Sequence, residues 1–156
     1  MINKENLKNF LKEAKINTYA GIGEVGEKIL GDRGKKFEYV KNNFYYRDIY
    51  FGFNPFIGEE IVFFRKKPIW GMNYYSEIIA GHVSAMIIYA FLKKALKKVP
   101  KNKPFRGPDN FNDKNFEYIN TVKGTIKKCI GKEKIFYNKK LVYILNYCGG
   151  IIKEKN

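Results

Sequence analysis

Three carboxylates in one aromatic stretch are the residues of this chain best placed to do chemistry. Asp48, Glu59 and Glu60 lie in FYYRDIYFGFNPFIGEEIVFFRKKPIWGMNYY, residues 44–75, the most aromatic part of the sequence. Asp48 paired with Glu59 or Glu60 would serve as acid and base if their spacing held the two pKa values apart. Set among tyrosines, the same groups suit recognition of a small molecule or peptide, because aromatic walls with a few convergent polar groups make up a typical ligand pocket. The candidate ligand-binding set is Tyr46, Asp48, Glu60, Gly71, Asn73 and Tyr75, with Arg106 reaching in from a later loop. No motif of known mechanism accompanies these residues, so none is assigned a catalytic role and binding is favoured over an enzyme.

Other chemistry has less support. His82 is the only histidine and cannot supply a multi-histidine metal site; an exposed or capping role fits it. Cys129 and Cys148 show no CxxC spacing and read as buried, reduced core residues. No metal and no cofactor are expected. GIGEVG at 21–26 is a literal GxGxxG, but it follows a helical segment where the dinucleotide fingerprint needs a strand. It reads as part of a mobile glycine-rich loop running to about Gly34.

The carboxylates must be positioned by strands. β-branched and aromatic residues fill 44–75, and turn residues punctuate it at Asn54-Pro55 and at Arg65-Lys66-Lys67-Pro68, which reads as two successive hairpins. With Lys66-Lys67 at the centre of the second turn, Glu60 faces Asn73 and Val62 faces Gly71 on one side of the sheet, while Ile61 faces Met72 and Phe63 faces Trp70 on the other. The absent side chain of Gly71, beside the polar pair, then begins a shallow pocket. Lysines are not the residues a positive-φ turn prefers, and a slip of one residue would swap every assignment between faces.

Around this centre, residues 4–15 read as a helix capped by Asn3, with Leu7, Phe10, Leu11 and Ala14 on one face. Lys36–Val40 is a first strand. A longer helix covers about 82–98, with Phe91, Leu92 and Leu96 on its apolar face and Lys93, Lys94, Lys97 and Lys98 grouped opposite. Pro100 ends it, and strands near 115–122, 125–130, 133–137 and 140–148 follow, with turns at Lys123-Gly124, near Gly131 and at Asn138-Lys139. The last strand carries apolar residues on both faces and is expected to be central. The fold class is therefore α+β: a predominantly antiparallel sheet of about seven or eight strands, packed by an N-terminal helix and one long central helix.

The composition agrees with a single domain spanning 1–156. The chain is 45% hydrophobic and 17% aromatic, enough for a core without disulfides or metal. Its 12 tyrosines favour a sheet with one partly open face, since their hydroxyls must stay wet or bonded. No apolar run has the length of a membrane span, and MINKENLKNF lacks the hydrophobic region of a secretory signal, so a cytoplasmic protein without a membrane partner is expected. The net charge of +15 makes nucleic acid the alternative partner, bound through the face of Lys93, Lys94, Lys97 and Lys98. That charge is discounted, because the lysines are scattered through the chain and Lys, Asn, Ile and Tyr are the residues an AT-rich coding sequence over-supplies.

FLKEAKINTYA (10–20), FYYRDIYFGFNPFIGEEIVFF (44–64), KPIWGMNYY (67–75), FLKKALKKVP (91–100), KPFRGP (103–108) and IFYNKKLVYILNYCGG (135–150) carry a resemblance over nearly the whole length. The chain resembles an uncharacterised bacterial domain of unknown function, found alone or following an Xre-type helix-turn-helix in predicted transcription regulators. The resemblance brings no catalytic residues. It implies a context in which some members look like sensor or effector halves of DNA-binding regulators. This chain differs in starting at its first domain helix, so no helix-turn-helix is expected ahead of it.

Overall fold

A computed structural model of the chain describes residues 3–22 and 26–155. The middle of the GIGEVG match, Gly23 to Val25, lies outside them. The elements are α1 (Lys4–Ile16), α2 (Tyr19–Ile22), β1 (Lys28–Ile29), β2 (Lys35–Lys41), β3 (Phe44–Gly52), β4 (Phe56–Phe64), β5 (Lys67–Ile78), α3 (Ala85–Leu96), β6 (Asn110–Asp113), β7 (Phe116–Thr125), β8 (Lys128–Tyr137) and β9 (Lys140–Ile151). The fold is α+β. Among the described residues nine strands form one antiparallel sheet in the order β1-β2-β3-β4-β5-β9-β8-β7-β6, so β9 is interior as its two apolar faces imply.

Helices cover one face of the sheet. Asn3 caps α1 by accepting the Glu5 N–H at 2.8 Å, and Leu7, Phe10, Leu11 and Ala14 are buried. In α3 the buried side chains include Phe91, Leu92 and Leu96, while Lys94, Lys97 and Lys98 are exposed. Lys93 is half-buried, its ammonium 5.0 Å from the centre of the Tyr19 ring. These helical residues form one core with Tyr46, Val62, Trp70, Met72, Tyr118, Ile135, Tyr143 and Leu145. The other sheet face carries exposed Ile57, Tyr75 and Ile130.

Several boundaries differ from the sequence reading. Asn110–Asp113 forms the strand β6; β7 runs on through Lys123 and Gly124 to Thr125, and Gly131 is no turn but sits within a single β8 that joins most of the expected strand at 125–130 to the one at 133–137. The glycine-rich stretch takes in the end of α2 and the two-residue β1, which pairs with β2. The long helix starts three residues later than expected, after Ser84, leaving His82 outside it and exposed. Cys129 is buried but Cys148, on the open face, is exposed.

The most consequential difference is the register of β4 and β5. The turn centres on Arg65 and Lys66, at φ 49° and 67°, so Glu60 faces Met72 and Glu59 faces Asn73. Pro68 cannot donate to the ladder, and the pairing takes up Ile69 as an extra residue between the partners of Val62 and Phe63. This slip of one residue turns Asn73 away from Glu60 and places Gly71 opposite Ile61.

Two glycines make room for tyrosines that lie across the covered face. A Cβ on Gly58 would fall 2.4 Å from the Tyr74 hydroxyl, and one on Gly131 would fall 2.0 Å from the Tyr147 ring. Both are contacts no real side chain tolerates. Gly58→Ala should therefore cost about 1–3 kcal/mol in urea unfolding through overpacking. An unchanged midpoint would show that Tyr74 is free to move aside.

Candidate functional site

Five ionisable side chains point into the layer between the sheet and the helices, where charges are rarely found unless paired. Asp48 comes from β3, Glu60 from β4, Glu133 from β8, Lys15 from the buried side of α1, and Arg106 from the segment between α3 and β6; all are buried. Lys15 donates to Glu60, and both side chains are nearly inaccessible. Arg106 Nη2 donates to Glu133 Oε2 at 3.0 Å, and the Tyr118 hydroxyl donates to the other oxygen of the same carboxylate. The backbone is drawn in as well. Gly107 N–H donates to the Tyr118 hydroxyl at 3.0 Å, and Asn120 Nδ2 donates to the Gly107 carbonyl at 3.0 Å.

Asp48 differs from the other two carboxylates. Directly opposite Glu60 in the ladder, it accepts one hydrogen bond, from the Tyr74 hydroxyl at 2.5 Å. Among the described residues it has no ion pair of its own. Burial pushes its pKa up to about 7, helped by the charge of Glu60 and opposed by the Tyr74 bond, Lys15 and Arg106. Burial lowers the Lys15 pKa, against the attraction of Glu60. The Tyr74 hydroxyl is held far above its ordinary value by burial and by Asp48.

Two small cavities meet at these groups. One, of about 50 Å³, is lined by Asp48, Arg106, Lys35 and a set of rings that includes Phe37, Tyr50, Phe56, Tyr74 and Tyr89. Exposed Gly52 and Phe53 flank it. The other, of about 30 Å³, lies among Lys15, Thr18, Tyr46, Glu60, Asp48 and Arg106. Spaces of this size hold a few water molecules or the end group of a ligand. The Arg106 guanidinium stacks 5.6 Å from the centre of the Tyr74 ring, and its Nε has no hydrogen-bond partner among the described residues.

The family model that matches this chain, over residues 48–152, is described as a domain of unknown function, DUF5680. The chain belongs to this family. No curated protein and no solved structure matches it. The DUF5680 match begins at Asp48 and takes in Glu60, Arg106 and Glu133, whereas Lys15 reaches the cluster from α1, outside the matched residues.

Of the residues expected to form a site, Tyr46, Asp48, Glu60 and Arg106 are brought together on the covered face. Gly71, Asn73 and Tyr75 are not: their strand positions put them on the open face, with Gly71 beneath the ends of Ile61 and Ile152. Glu59 also faces outward, beside Arg47 at 3.5 Å, so it cannot pair with Asp48. Lys94 lies against Asp113 at 2.5 Å. Among the described residues no group of three or more His, Cys, Asp and Glu side chains could hold a metal, and no helix is long and apolar enough to cross a membrane.

Lys15, Tyr74 and Glu133 escaped the sequence reading, though Lys15 and Glu133 each left a trace. Lys15 follows Leu11 by four residues and so shares its buried helical face. Glu133 alternates with Cys129, Gly131 and Ile135, the inward parity of β8.

Removing one partner of a buried pair leaves an uncompensated charge. Lys15→Met should lose about 3–5 kcal/mol in denaturant unfolding, while Lys15→Met with Glu60→Leu should recover most of it. Equal losses in the single and double variants would remove the pair from the account.

Asp48 gives stability a definite pH dependence. Its pKa is about 7 in the folded chain against an ordinary value of 3.8, so between those values the folded state holds more protons than the unfolded one. Stability from this group is then full below about pH 4 and falls as pH rises towards 7. Asp48→Asn should lack this decline and gain on the wild type by on the order of 2 kcal/mol between about pH 5 and 8, measured by urea melts. Parallel pH profiles for the two proteins would refute the assignment.

Proposed function

We propose that this chain is a non-catalytic binding module that holds a small ligand, or the end of a peptide, in the aromatic cavity over Asp48 and Arg106. One observation carries the reading. At the floor shared by the two cavities, two buried polar side chains have capacity to spare among the described residues: Asp48 accepts a single hydrogen bond, and Arg106 Nε donates none. Buried polar groups are ordinarily satisfied, and an unspent donor and acceptor beneath a ring-lined cleft is what a polar ligand end would complete. The resemblance to domains fused to DNA-binding regulators supports a sensor or effector role for such a module.

Enzymatic use of Asp48 with Glu60 has less support, because Glu60 is occupied by Lys15. Nucleic-acid binding through Lys93, Lys94, Lys97 and Lys98 also has less, since two of these four lysines are engaged at Tyr19 and Asp113.

The test is a thermal-shift screen of a small-molecule and dipeptide panel on the full chain. A true ligand at about 100 times its Kd adds about 2.7 kcal/mol, a rise of about 5–10 °C for a domain of this size. That rise should be lost in Asp48→Asn and Arg106→Lys and kept when Lys97 and Lys98 are replaced by Gln. A panel without hits, or hits indifferent to Asp48 and Arg106, would count against the reading. An oligonucleotide shift abolished by the lysine replacements would favour nucleic acid.

A further inference from the structure

The buried charges do not balance. Asp48, Glu60 and Glu133 carry three negative charges when ionised, against two positive ones on Lys15 and Arg106. Lys15 is committed to Glu60 and Arg106 to Glu133. Lys35, at the edge of the larger cavity, lies 3.7 Å from Glu27. Asp48 is thus the one carboxylate of the cluster without a cation, and it lines the larger cavity. An ionised carboxylate in that position is costly unless a counter-charge arrives or a proton neutralises it.

The walls favour the counter-charge. Tyr19, Phe37, Tyr50, Phe56, Tyr74 and Tyr89 line the cavity, and aromatic rings attract cations to their faces. The protein's own ammonium groups already use these rings: Lys35 Nζ lies 5.4 Å from the centre of Tyr50, and Lys93 Nζ 5.0 Å from that of Tyr19. A volume of about 50 Å³ admits a head group of a few heavy atoms and no ring, since benzene occupies an engineered cavity of about 150 Å³.

We propose that the cavity takes a cationic head group, a primary or N-methylated ammonium, seated between Asp48 and the surrounding rings. This rests on the binding-module reading above and names the class of its ligand. Entry of the cation displaces the proton from Asp48, so binding and deprotonation are coupled. The charged and titratable groups that surround Asp48 are Lys35 from β2, Tyr46 and Tyr50 from β3, Glu60 from β4, Tyr74 from β5, Lys15 from α1, Tyr19 from α2, Tyr89 from α3 and Arg106 from the loop. Burial and Glu60 hold the Asp48 carboxyl up to about 7, which places the coupling near neutral pH.

Titration calorimetry of the full chain with n-butylammonium chloride, sodium butyrate and butanol tests the proposal. The ammonium should bind in preference to the other two, about tenfold more weakly at pH 6 than at pH 8, for a site that must lose a proton of pKa about 7. At pH 6 the observed heat should vary with the ionisation enthalpy of the buffer, reporting release of close to one proton. Asp48→Asn should abolish binding at both pH values. Lys35→Met, a change at the edge of the cavity, should strengthen binding several-fold by removing a like charge, and tests the proposal even if the Asp48 variant fails to fold. Tighter binding of butyrate or butanol would overturn the cationic class and leave the binding module standing. Ammonium binding indifferent to pH, Asp48→Asn and Lys35→Met would place it elsewhere and overturn the proposal. No binding by any of the three probes would overturn the cationic class, and only a blank thermal-shift panel as well would remove the binding module.

Discussion

Two buried ion pairs couple the helical layer to the sheet: Lys15 of α1 with Glu60 of β4, and Arg106 of the long loop with Glu133 of β8. Such pairs gain little net stability over apolar residues of similar size, but removing one partner strands a charge in the interior. Their effect is positional. α1 must lie where Lys15 meets Glu60, and the segment Pro104–Gly107 must enter the core so that Arg106 reaches Glu133. With both cations committed, Asp48 is left among the described residues with a tyrosine hydroxyl alone, and the character of the cavity follows.

The aromatic composition serves the same arrangement. Tyrosines bury large rings and keep a polar end, so they can line a charged interior where phenylalanine would leave carboxylate oxygens unbonded. Tyr74, Tyr118 and Tyr147 each place a hydroxyl on a buried polar partner, namely Asp48, Glu133 and Asn120. Two of these rings lie over glycines on the neighbouring strand, Tyr74 over Gly58 and Tyr147 over Gly131. Phe105 adds a layer by stacking on Trp70 at 6.5 Å, which anchors the loop beside Arg106.

The excess of positive charge is distributed differently. Lys28, Lys36, Lys41 and Lys94 pair with acidic neighbours at the surface, and exposed pairs of this kind contribute at most about 1 kcal/mol each. On the open face, Lys128, Lys132 and Lys134 alternate along β8 with buried Cys129, Glu133 and Ile135. The buried cluster, by contrast, carries more acidic groups than basic ones. A strongly basic protein therefore encloses a cluster in which carboxylates outnumber cations, which total charge alone would not indicate.

Local pattern determined much of this protein. The apolar faces of α1 and α3, the hairpins from 44 to 75, the interior place of β9 and the α+β class follow from periodicity and turn residues, because each depends on neighbours within a few positions. The partition of charged residues between the two sheet faces depended on tertiary structure, through a single register. Pro68 and the positive-φ pair Arg65-Lys66 moved that register by one residue, and this separated Asn73 and Gly71 from Glu60. Lys15 and Glu133 joined the site across 45 and 27 residues from their partners Glu60 and Arg106. Spacing along a chain carries no record of such meetings, since they are set by where whole elements pack. The sequence by itself named Asp48, Glu60 and Arg106 as polar groups in an aromatic setting; only the packed layers decided which carboxylate was left without a cation, because pairing between buried charges is a property of distance in space.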